Sequence, residues 1–209
     1  MAANEYVGFY WTLPVAWAGL RYLPNDANAA AVLSNTIRYQ QARVKRFVRE
    51  ERGTLLAETA FCDVQHDRAT DTIRCMVRRH AADYAGRATM LYVRFNEVEH
   101  WRPNIHLVRE AEHLGLASLP LPPDPVLIDG VLFDPAQHFR DWRDRDRAMK
   151  ERLDADATAG LRAALDAVKE GPGKWHAIAA RLNAEGVRTV RGSGWTAEGV
   201  RKAAGRLDR

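Results

Sequence analysis

The chemistry most concentrated in this chain is cationic. From Gly171 onward the basic residues are Lys174, Arg181, Arg188, Arg191, Arg201, Lys202, Arg206 and Arg209, against only Glu185, Glu198 and Asp208. That segment holds a net +5 whereas the whole chain is +4, so residues 1–170 carry about −1. A local excess of guanidinium and ammonium groups is the electrostatic footprint expected for a phosphate backbone; a solvated basic face on an ordinary small helical domain is the alternative. Nucleophiles are scarce, the only serines being Ser34, Ser118 and Ser193. The seven histidines include no His-x-x-x-His pair and lack carboxylate partners at ligand spacing, so no metal site is expected. Cys62 and Cys75 form no metal or redox spacing and read as buried thiols in a reducing compartment. No cofactor is expected.

Helices must position those cations. Ile178 and Leu182 recur with alanines at helical spacing, and Gly186 stops the run. Thr196 is placed to cap a second helix, with Glu198 in its first turn. Val200, Ala203, Ala204 and Leu207 form one apolar stripe, leaving Arg201, Lys202 and Arg206 outside it. A helix, a Gly-containing connection and a basic second helix is the pattern of a helix-turn-helix. Arg188 and Arg191 lie on the connection, suited to reach a DNA backbone or minor groove.

Upstream, strands are expected at Tyr6–Leu13, Thr54–Phe61, Ala88–Phe95 and Leu116–Leu119. Helices are expected over Asn35–Arg52, 69–85 and Pro103–Leu114, the last with Ile105, Leu107, Val108 and Ala111 inward. Residues 14–26 read as a loop, and 126–135 as a hairpin around Asp129-Gly130 or a covering loop. Strands alternating with such helices imply a parallel sheet with helices on both faces, its site at the strands' carboxyl ends. An apolar fraction of 46% is ordinary for a globular chain, and no apolar run approaches the ~20 residues that span a bilayer. Without a signal-peptide pattern, a cytoplasmic protein is expected, nucleoid-associated when on DNA.

Residues 136–156 read as one long helix begun by Pro135, followed by another over Thr158–Glu170. Phe139, Trp142, Met149 and Leu153 occupy a and d positions of a seven-residue repeat. Such a narrow seam suits a homodimer or packing on its own domain; two-fold DNA sites favour the former.

In this order the parts resemble the serine recombinases, the resolvases and invertases and their larger integrase relatives. In the tail, Ile178-Ala179, Leu182-Asn183-x-x-Gly186, Arg191-Gly192-x-x-Trp195-Thr196 and Val200 resemble the "recombinase" domain of the larger members, with Val190 where proline is common. Gly8-Phe9, Thr36-Ile37-x-x-Gln40, Asp63 and Tyr92-Val93 resemble landmarks of the catalytic domain. The resemblance implies a resolvase-like α/β domain over 1–135, a long helix over 136–156 and a helical DNA-binding domain over 157–209.

It also implies a chemistry. Strand exchange needs a serine that attacks a phosphodiester and holds it covalently, with arginines around the transition-state oxygens. The family's Tyr-x-Arg-Val-Ser reads here Phe9-Tyr10-Trp11-Thr12-Leu13, and its Asp-Arg-Leu-x-Arg reads Asn96-Glu97-Val98-Glu99-His100. Trp11, Leu13, Glu97 and His100 are thus degenerate positions, and no catalytic residue is assigned. Trp11, Trp17 and Trp101 either pack over the strand ends or line a pocket for a small molecule or a protein partner. The expectation is a homodimeric binder of double-stranded DNA, not of membranes, acting as a transcriptional regulator or accessory factor. An active recombinase with an unrecognised nucleophile and a ligand- or partner-sensing protein are the alternatives.

Overall fold

The structure is a computed structural model that describes residues 4–15, 19–20, 22–62, 71–95 and 105–207. The chain divides into two units, 1–140 and 141–209.

Unit one is built on a four-stranded parallel sheet: β1 (Glu5–Thr12), β2 (Thr54–Cys62), β3 (Thr89–Val93) and β4 (Ala117–Leu121), in the order β2-β1-β3-β4. Strand alternation sends successive β1 side chains to opposite faces. Val7, Phe9 and Trp11 enter one core with Ile73, Met76 and Val77 of α3 (Asp71–Tyr84) and Leu107 and Ala111 of α4 (Ile105–His113). Tyr6 and Tyr10 enter the other, with Ala27 and Ala30 of α1 (Ala27–Leu33) and Ile37, Val44 and Val48 of α2 (Asn35–Glu50). Helices therefore cover both faces. Because β1 lies between β2 and β3, the connections diverge at its carboxyl end, which makes the β1–β3 crevice the topological switch point.

Several expectations need correcting. Residues 27–33 form α1, whose alanines carry no apolar period; Asp26 caps it by accepting from the Ala29 N–H at 2.8 Å. Ser34, in extended conformation, ends α1 and caps α2, accepting from the Ile37 N–H at 3.4 Å. Ile105 is exposed, since it opens α4 rather than facing the sheet. Cys75 is exposed, because the inward stripe of α3 runs through Ile73, Met76 and Val77, and Cys62, the last residue of β2, is only half-buried. Of the two readings for residues 126–135, the hairpin around Asp129-Gly130 is the one that forms, with β5 (Val126–Ile128) paired antiparallel to β6 (Val131–Phe133). Its two-residue turn holds Asp129 at φ 50° and Gly130 at φ 78°, the left-handed pair that matches strand twist.

A single helix, α5 (Pro135–Ala167), replaces the two expected over 136–156 and 158–170. Asp134 starts it by accepting from the Ala136 N–H at 2.8 Å. Nothing at 157–158 breaks it, and the one interior glycine, Gly160, serves packing: a Cβ there would lie 3.0 Å from Val187 Cγ1.

Unit two packs Leu161 and Ala164 of α5 with Ile178, Ala179 and Leu182 of α6 (Lys174–Ala184) and Val200 of α7 (Ala197–Leu207). Trp175, Val187, Trp195 and Leu207 close over this small core.

Candidate nucleic-acid interface

The start of α7 and the connection before it are held by polar bonds. Thr196 Oγ1 accepts from the Gly199 N–H at 3.1 Å, capping α7 as its sequence position suggested. Residues 185–196 connect α6 to α7, far more than the three or four residues of a minimal helix-turn-helix turn. Asn183 disciplines that length. Its side-chain amide donates to the Trp195 carbonyl at 2.9 Å, and its Oδ1 accepts from the Trp195 N–H at 2.8 Å. This two-point clamp fixes the start of α7 against the end of α6. Between the clamped points the chain makes a tight turn: the Thr189 N–H donates to Ser193 O at 2.9 Å, the Gly192 N–H to Thr189 O at 2.7 Å, and the two hydroxyls lie 2.8 Å apart. Asn183 stands out in the sequence only as part of the Leu182-Asn183-x-x-Gly186 pattern; its clamp on Trp195 does not, since a contact across 12 residues leaves no periodic signal.

The eight DNA-directed residues are not equally available. Lys174 is largely covered, ion-paired with Glu170 and 5.1 Å above the Trp175 ring. Arg181 pairs with Glu185 at 2.8 Å, one turn along α6. On α7, Glu198 holds Arg201 at 3.1 Å and Lys202 at 3.2 Å. Hydrogen bonds from Arg201 first, then Lys202, lower the pKa of its carboxyl. Arg188 and Arg191 on the turn and Arg206 on α7 are exposed and make no ion pair with a described residue. These three are the cations of the tail best placed to meet an external anion, because no carboxylate among the described residues is paired with them.

At the sheet's carboxyl edge, Trp11 is 2% exposed and Leu13 lies just past β1, half-buried. Gln40 reaches from α2 to Trp11, its Oε1 accepting from the backbone N–H at 3.2 Å and its Nε2 donating to the carbonyl at 2.7 Å. A cavity of about 300 Å³ opens at the switch point, lined by Trp11, Tyr92, Phe95, Arg94, Arg109 and Glu112 among others. The serine hydroxyls are placed elsewhere: Ser34 caps α2, Ser118 lies within β4, and Ser193 is engaged by Thr189. Asp63, Glu97, His100, Trp17 and Trp101 lie outside the described residues. Among the described residues, no group of three His, Cys, Asp or Glu side chains is arranged to hold a metal ion.

On α5, Phe139 is buried in the core of unit one, its ring 5.1 Å from Phe95 in an edge-on contact. It is therefore removed from the expected dimer seam. Trp142, Met149 and Leu153 stay partly exposed. No helix among the described residues is long and apolar enough to cross a membrane. The chain matches no protein-family model, no curated protein and no solved structure.

Proposed function

We propose that this chain is a DNA-binding protein of serine recombinase descent that does not exchange strands, acting as a transcriptional regulator or accessory factor. The observation that carries it is the trio Arg188, Arg191 and Arg206, exposed without ion pairs to described residues in a segment of net +5. In this reading α7 acts as the recognition helix of a long-turn helix-turn-helix, and Arg188 and Arg191 on the clamped turn are assigned to the backbone or minor groove. A folded turn binds with less ordering cost than a free arm. The parallel sheet, the long α5 and the small helical unit, in that order, agree with the resolvase-like reading.

Trp11 and Leu13 stand where an arginine and the nucleophile belong, and neither can bind or attack a phosphodiester. Dimerisation through Trp142, Met149 and Leu153 would match a two-fold site.

Selection of binding sites from random duplex DNA tests the assignment, because it reports both affinity and half-site spacing. Arg201→Ala/Arg206→Ala should abolish a gel shift with circular dichroism unchanged; wild-type affinity in that variant removes the tail from this role. A covalent adduct on a nicked substrate, surviving denaturing electrophoresis, would establish the recombinase instead. The switch-point cavity supports a ligand-sensing second reading, tested by ligand-dependent stabilisation of the full chain against Trp11→Ala.

A further inference from the structure

Among the described residues of unit one, exposed aliphatic side chains occur on α1, at Val32 and Leu33, and as a group of three on the β5–β6 hairpin. Leu127 is 67% exposed, Leu132 63% and Val131 70%. Leu127 and Leu132 are direct cross-strand partners, so they form one contiguous patch on the outer face. The inner face explains why the hairpin is held in place. Phe133 stacks on Tyr39 at 5.0 Å, Val126 is buried, and Asp129 in the turn is ion-paired with Arg38 of α2. Folding thus fixes the hairpin while leaving its leucines unburied, at a cost that ordinary surfaces avoid.

Beside the patch runs a groove of about 800 Å³ between the hairpin and α2, with Ala42, Val126, Leu127 and Leu132 as its apolar lining. Its polar rim carries Lys45, Arg46 and Arg49 against one carboxylate, Glu50. Lys45 is partnered by Glu58 at 3.3 Å and Arg46 by Glu50 at 2.7 Å, whereas Arg49 makes no ion pair with a described residue. An apolar floor with a cationic rim selects its complement: a helix with leucine-like residues on one face and carboxylates beside them. Phosphate alone would gain nothing from Leu127 and Leu132, and a flat bilayer would not fill a concave groove. We propose that this groove docks an acidic amphipathic helix of a partner protein. The site is independent of the DNA-binding assignment.

The test uses the full chain and a labelled helical peptide of about 18 residues, roughly five turns, with leucines at i, i+3, i+4 and i+7 and glutamates between them. Fluorescence anisotropy should show saturable binding that weakens as salt rises. Leu127→Asp/Leu132→Asp should reduce it by ~10-fold or more. Arg46→Glu/Arg49→Glu should reverse the preference toward the same peptide with lysines replacing the glutamates. Both variants alter exposed side chains, and circular dichroism checks that they fold. The proposal is overturned by no binding, by equal binding of a scrambled peptide whose leucines share no face, or by binding unaffected in both variants. Sedimentation with phosphatidylserine vesicles, or self-association lost in Leu132→Asp, in the absence of peptide binding would assign the patch to a membrane or to a second copy and also overturn it.

Discussion

Arg188 and Arg191 provide the sharpest handle on the tail, because counterion release converts each phosphate contact into a measurable slope. If Arg188, Arg191, Arg201, Lys202 and Arg206 each neutralise one phosphate, log affinity should fall against log salt with a slope of about −4.5, at roughly 0.9 per contact. Between about 50 and about 200 mM salt that amounts to ~500-fold. Arg188→Ala/Arg191→Ala should flatten the slope to about −2.7, or ~40-fold over the same range. The turn that carries them is tied by backbone bonds and by Asn183, so the substitutions remove charge without releasing the chain. Fluorescence anisotropy on a selected duplex over a salt series reads both values. A double variant that keeps the wild-type slope and affinity refutes the placement of this turn on the phosphates.

Glu198 restrains two cations of α7 while adding a negative charge beside them. Glu198→Gln should therefore tighten DNA binding. The wild-type protein should gain affinity in the same direction as pH falls through this lowered carboxyl pKa, a trend absent in the variant. Gly160→Ala should lower the melting temperature although alanine ordinarily favours a helix by about 1 kcal/mol, because overpacking against Val187 costs about 1–3 kcal/mol. Val187→Ala in the same chain should recover most of that loss, and a stabilised Gly160→Ala would contradict the close approach. His80, edge-on to Phe9 at 5.0 Å and stacked on Tyr84, has its pKa lowered by burial and secondarily by Arg79. A lowered folded pKa gives a contribution present above the unfolded value of about 6.5 and lost as pH falls through the folded one. His80→Phe should flatten the fall in melting temperature between about pH 7 and pH 5; an unchanged pH profile would show that His80 does not govern it.

The sheet was legible because each strand carries its own apolar pattern between turn residues, and β1 through β4 fall within a few residues of their expected bounds. α1 was not, since Ala27–Leu33 is nearly all alanine on the buried side and no period distinguishes it from a linker. The split expected near residue 157 was a different kind of error: nothing there breaks a helix, and Gly160, which looks like a weakness, is where Val187 packs. Phe139 shows the limit of heptad reasoning. A repeat identifies an apolar face but not its neighbour, and here Phe95 and the core of unit one take it. The tail cations were visible as a count. Their ranking was not, because it depends on which ones Glu170, Glu185 and Glu198 already hold.

Two cationic surfaces on one chain call for a crossed experiment, since a basic groove and a basic tail would both retard on a gel with DNA. Their surroundings differ in the one respect that matters. Around Arg46 and Arg49 the lining is aliphatic, with Leu127 and Leu132 exposed, whereas Arg188 and Arg191 stand on a hydroxyl-rich turn. Desolvating leucine is favourable against another apolar face and worth nothing against a sugar-phosphate chain. Arg46→Glu/Arg49→Glu should thus leave the salt slope for DNA at its wild-type value while abolishing capture of the acidic peptide. Arg188→Ala/Arg191→Ala should do the reverse. If both pairs flatten the slope, α2 belongs to the DNA footprint and the exposed leucines need another occupant; if neither does, the phosphate contacts lie on α7 alone.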